Sequence, residues 1–176
     1  MGAPYMSECN LPPYRASKAL EDFIKVQAGP HYICDEGTCM ADLDALQRWK
    51  EQHGDERFHT PIPVYPCGSD SPFTPEGDAA YQAWHDRLHA EGEYEFNIAG
   101  ELKLAGVHMA LAKRGGLSDH DVMFLYHFIV TRVMYHYWHD GKDPPDRARF
   151  ITACFVYGCR AAARGDHELQ YADHCS

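Results

Sequence analysis

At 176 residues, 45% of them hydrophobic and 24% charged, the chain is long enough for one domain with a sizeable buried core. A mean hydropathy of -0.48, with no long uncharged apolar run, argues against a membrane span. A formal net charge of -10 with no basic stripe argues against direct nucleic-acid binding.

The opening residues, MGAPYMSECNLPPYR, hold neither a basic nor an apolar stretch, so no secretory signal is expected. The seven cysteines are an odd number, and with no signal they read as reduced thiols or metal ligands in a cytoplasmic protein.

After the Pro-rich start, Ser17 is a natural N-cap for a helix over 18–27 that closes at Gly29-Pro30. Thr38 can cap a second helix, with Met40, Leu43, Leu46 and Trp49 near helical spacing and Gly54 as its stop. Prolines at 61, 63, 66 and 72 then remove backbone donors from a linker or covering loop, in which only 58–65, and before it 31–34, look extended. Thr74 followed by Pro75 starts a helix that should run to Ala90, ahead of Gly92. The next is expected from Asn97 to Arg114, stopped by Gly115-Gly116. Ser118 with Asp121 resembles a capping box and opens the most apolar helix, to His139, with Gly141 as its stop. A last helix over 146–164 ends at Gly165. The expected fold is all-α: a four-helix C-terminal bundle (74–176) with a smaller, partly irregular N-terminal helical region (1–73).

Four histidine and cysteine sets are candidates for chemistry. His31, Cys34, Cys39 and Cys67 offer borderline and soft donors in short loops, as a structural zinc requires, although small buried residues would look the same. His85 and His89, four apart, share a helix face and can chelate one metal ion. A hydrolytic zincin helix carries Glu after its first His; here Asp86 follows, and no third ligand stands nearby in sequence. His120 and His127 lie on one stripe of the apolar helix, where a buried His127 should be neutral and hydrogen-bonded. Glu101 or His108 from the preceding helix could meet His127 in a carboxylate–histidine metal site inside the bundle.

The fourth set is His108, then His139-Asp140 at a helix end, followed by Gly141-Lys142. Over residues 108–142 this order resembles that of the HD-type phosphohydrolases, which usually carry one more residue between the two pairs. The resemblance implies an all-helical fold that binds a divalent metal through such residues, with His108, His139 and Asp140 in the catalytic roles; His127 is a further candidate for the same hydrolase. A plain helix C-terminus, where an imidazolium meets the last carbonyls, accounts for His139-Asp140 as well.

Between Glu76 and Glu101 seven carboxylates face one arginine, Arg87. No phosphate-cradling glycine loop and no G-x-S-x-G is present. The leading expectation is therefore a non-enzymatic binding or regulatory protein, inhibitory in character, with a structural zinc as an added element. It would meet a basic protein partner through Glu91, Glu93, Glu95 and Tyr94. The alternative is a metal-dependent helical hydrolase.

Overall fold

The computed structural model describes residues 12–35, 43–65 and 70–164. The fold is all-α, with one small parallel pair of strands. In chain order come α1 (Lys18–Ala28), β1 (His31–Ile33), α2 (Leu43–His53), a 3-10 turn (Gly54–Phe58) and β2 (Ile62–Val64). Then follow α3 (Pro75–Gly92), α4 (Ile98–Arg114), α5 (Asp119–Tyr126), a π-helical turn (His127–Thr131), α6 (Arg132–Trp138), α7 (Arg147–Tyr157) and α8 (Cys159–Arg164).

The helices start where short polar side chains can satisfy their first amides. Ser17 accepts from Leu20 N, Thr74 from Gly77 N, Asn97 from Gly100 N, Ser118 from Asp121 N and Asp146 from Arg149 N. The start expected at Thr38 lies outside the described residues. β1 and β2 pair in parallel, His31 with Ile62 and Ile33 with Val64. Pro63 sits in a strand with one neighbour, where its missing donor costs nothing on the open side.

Two expected helices are subdivided, so among the described residues the C-terminal part holds six α-helices and a π turn where four helices were expected. The run from Ser118 is continuous to Trp138 but carries the π turn, one place where a helix accommodates an extra residue. The last helix breaks at Gly158, whose φ of 86° is a conformation that suits glycine.

One buried apolar cluster runs through both parts of the chain, from Leu20, Ile24 and Leu46 to Trp84, Phe124 and Phe150. α1 packs along α3, and polar side chains lock the two at their starts. The Glu21 carboxylate accepts from Thr74 N at 2.7 Å and Thr74 Oγ1 at 2.8 Å. Asp121 accepts from both Ser17 and Ser118, at 2.7 and 2.6 Å, which joins α1 to α5. Arg87 on α3 donates to the carbonyls of Ala28, Pro30, Arg57 and Thr60 at 2.6–2.9 Å, gathering the segments around both strands. Among the described residues no helix is long and apolar enough to cross a membrane.

Candidate metal centre

Two histidines one turn apart on α3 meet the first turn of α4. α3 ends in Glu93, whose φ of 52° turns the chain out of the helix, and residues 94–97 lead directly into α4. That reversal is tight: a Cβ at Gly100 would collide with the carbonyl oxygen of Glu95, so glycine is what allows α4 to start there. The next residue, Glu101, then reaches His85 and His89.

The donor atoms converge. His85 Nε2 and His89 Nε2 are 3.1 Å apart, and the Glu101 carboxylate lies 3.4 Å from the first and 3.2 Å from the second. An ion with tetrahedral bonds of zinc–nitrogen length has its ligand atoms about 3.3 Å apart. Among the described residues this is the one group of three or more potential ligands with donor atoms within 4.8 Å of one another, so His85, His89 and Glu101 could hold a metal ion.

The far sides of the rings decide where the lone pairs point. His89 Nδ1 lies 2.7 Å from the carbonyl of Tyr94, which only accepts, so the ring proton sits on Nδ1 and a neutral His89 presents a bare Nε2 to the cluster. His85 Nδ1 is 3.3 Å from Nε2 of the buried His108 and 3.5 Å from the Tyr81 hydroxyl. A proton on that Nδ1, donated to His108, leaves a second bare Nε2. Hydrogen bonds behind ligands fix ring orientation and tautomer in this way at metal centres. Two lone pairs and a carboxylate at these distances repel one another unless a cation or a proton lies between them.

The electrostatics agree with that balance. Burial holds the His85 imidazole below its ordinary range, against the pull of Glu101, and burial together with the nearby His85 holds His108 well below. Burial alone would raise the Glu101 carboxyl, but with no cation between the groups a proton on the His85 or His89 Nε2, donated to the carboxylate, outweighs it and keeps the group well below the usual carboxylate range. Asp86, buried on the same helix and hydrogen-bonded by Gln82, is pushed up to about 7 by its burial.

A cavity of about 330 Å³ opens onto this cluster, with His85 and Glu101 in its wall. Tyr81, Phe96 and Phe128 supply aromatic surface, and α6 adds Arg132 and His136. Arg132 is close enough for its charge to bear on His85. Its guanidinium is gripped by Asp143 at 2.6 and 3.2 Å, and the same carboxylate lies 2.7 Å from His136 Nε2. Asp143, which pairs with both side chains, does not itself line the cavity. Burial would raise the Asp143 carboxyl, but His136 and Arg132 keep it well below the usual range, so it is ionised.

The other candidate residues lie elsewhere. His31 Nδ1 bonds the carbonyl of Gly29, and Cys34 follows β1; Cys39 and Cys67 are outside the described residues. His108 meets His85 and does not join a group with His139, Asp140 or His127. His139 closes α6 and bonds the Ala163 carbonyl at 3.0 Å, and Asp140 is exposed with a φ of 53°. His127, held below its ordinary range by burial, lies 3.0 Å from the Cys159 sulfur. Glu91 is engaged by Arg57 at 2.7 Å and Glu93 by Lys50 at 3.9 Å; Glu95 is exposed, and Tyr94 contributes its carbonyl to His89.

The sequence flagged His85 and His89 but did not join Glu101 to them, nor Arg132 and His136 to the cavity. The available signals were a glycine–glutamate step in the first turn of α4 and polar side chains inside an apolar helix. No family model matches the chain, and no curated protein or solved structure does.

Proposed function

We propose that the chain is a metal-dependent hydrolase whose divalent ion sits between His85, His89 and Glu101 and faces the adjoining cavity. The observation that carries this reading is the convergence of two imidazole Nε2 atoms and a carboxylate within 3.1–3.4 Å, with His89 and His85 each bonded behind. Zinc suits the set: two histidines and one glutamate are a catalytic donor combination that keeps a position open, whereas structural zinc sites close with four protein ligands. An ion there supplies a Lewis acid that polarises a substrate bond.

The chain's own residues do the rest. Tyr94 and His108 hold the ligand rings in orientation. Tyr81, Phe96 and Phe128 give the cavity an aromatic wall, and Arg132, paired with Asp143, lines it beside the ion site. This ligand set differs from the His108, His139 and Asp140 set that the HD-type resemblance implies.

The test is metal content. Protein purified without a polyhistidine tag should carry or take up one zinc ion per chain, and His89→Ala should abolish uptake while His139→Ala leaves it intact. Protein that binds no divalent ion in the absence of chelator, or whose uptake survives His89→Ala, would overturn the proposal.

A further inference from the structure

The cavity beside the candidate ligands has a chemistry of its own. Five polar side chains, those of His85, Asn97, Glu101, Arg132 and His136, line it, and each already has a partner in the protein. His85 and Glu101 face one another at 3.4 Å. Arg132 and His136 share the Asp143 carboxylate, so the charges of Arg132 and Asp143 cancel. Asn97 Oδ1 caps α4, accepting from Gly100 N at 3.0 Å. A charged molecule entering this wall loses its water and meets no cation that lacks a counter-charge, apart from an ion at the centre itself.

The rest of the wall is apolar or aromatic, and it is graded in depth. Phe128 and Ile129 are buried, each 3% exposed, and the Tyr81 ring stacks on His85. Phe96, Ile98 and Tyr137, in the same wall, are 37%, 49% and 69% exposed. Apolar surface left in water at the mouth of a cavity gains stability when a ligand covers it, and patches of this kind mark binding grooves. A volume of about 330 Å³ lies at the small end of the range for ligand pockets, so the occupant is a small molecule. Aromatic walls receive rings by offset stacking or edge contact.

We infer that the substrate is a small neutral molecule with an apolar, ring-sized body, which sits on Phe128 and Ile129 and covers Phe96, Ile98 and Tyr137. What happens to it at the ion rests on the hydrolase reading, but recognition of the body is separable from that.

The experiment is an NMR chemical-shift titration of the full chain, zinc-loaded and metal-free, with 2-phenylethanol and ethanol, and of the metal-free protein with phenylacetate. Burying a ring corresponds to about ten- to hundredfold in affinity, so 2-phenylethanol should bind more tightly than ethanol by that factor in both forms. In metal-free protein phenylacetate should bind about tenfold more weakly than 2-phenylethanol, because its charge is desolvated without a partner. Ile98→Ser and Tyr137→Ser should each weaken 2-phenylethanol about three- to tenfold. Ile33→Ser, on β1 and outside the cavity wall, should leave it unchanged. All three positions are exposed, so the fold tolerates the changes. Equal binding of the two alcohols, tighter binding of the acid in metal-free protein, or mouth variants that bind as the wild type does would overturn the inference. Absence of 2-phenylethanol binding, together with a dimer that Ile98→Ser dissociates in sedimentation, would assign the mouth to a second copy of the chain and overturn it as well. A ring preference in protein that takes up no zinc would sink the ion centre and leave the apolar site standing, whereas zinc uptake with no ring preference would sink this inference alone.

Discussion

Glu101→Gln is the sharpest perturbation of the proposed centre, because it keeps the size of the side chain and removes the one negative charge facing His85 and His89. A ligand that binds only the folded state stabilises it by RT ln(1 + [L]/Kd), about 4.1 kcal/mol with zinc at a thousandfold its dissociation constant. For a chain of this size 1 kcal/mol corresponds to about 2–4 °C, so wild-type protein should melt about 8–16 °C higher with zinc than with chelator. Changing a residue behind a metal ligand costs about 10–100-fold in affinity, so loss of the anionic ligand itself should cost about a hundredfold or more. At the same zinc concentration that leaves about 1.4 kcal/mol, a rise of about 3–6 °C. The assay is a thermal melt of both proteins at one zinc concentration and in excess chelator. Equal zinc-induced shifts in the two proteins, or none in the wild type, would refute the assignment of Glu101.

Gly100→Ala should act on the same site through the backbone: its Cβ meets the Glu95 carbonyl, so overpacking should cost about 1–3 kcal/mol in urea unfolding, and the displaced Glu101 should bind zinc more weakly. Arg87→Met should destabilise the fold by on the order of 3 kcal/mol, since four carbonyls lose a charged donor together, and Arg87→Lys should recover little of it because a single ammonium cannot reach them all; urea midpoints of the three proteins check this. Asp86 offers a pH test in metal-free protein. Burial lifts its folded pKa to about 7, above the unfolded value, so between those values the folded state binds more protons than the unfolded chain and stability falls as pH rises through the window, levelling off above it. Asp86→Asn removes that slope, a difference on the order of 4 kcal/mol by pH 8; parallel stability curves for the two proteins between pH 4 and 8 would show that Asp86 is not held protonated.

Most of the fold was legible because its punctuation is local. Ser17, Thr74-Pro75 and Ser118 announce helix starts by what their own side chains and rings can do, and the structure has them capping or opening α1, α3 and α5. Breaks inside a helix are less visible. Gly158 reads as one weak residue in an otherwise helical stretch, yet it takes a positive φ and divides α7 from α8. The π turn at His127–Thr131 leaves no local mark, since an extra residue in a buried apolar run changes neither composition nor hydrophobic spacing enough to be read.

The site divides along the same line. A pair four residues apart on one helix is a local fact, so His85 and His89 could be named as joint ligands from spacing alone. Their third partner depends on how α3 hands over to α4: Glu93 must leave the helix with positive φ, the Tyr94 carbonyl must turn back to His89, and Gly100 must let the backbone pass Glu95 before Glu101 can reach both rings. No periodicity encodes those three conditions. One clue was nonetheless present at longer range. Arg132 and His136 interrupt the most apolar helix of the chain, and a charged or polar residue inside such a run needs a partner or a cavity. Here it has both, Asp143 and the cavity beside His85. The two marks therefore differ in kind: spacing names possible ligands on one helix, whereas the interruption points to a partner or an opening outside it, here Asp143 and the cavity wall.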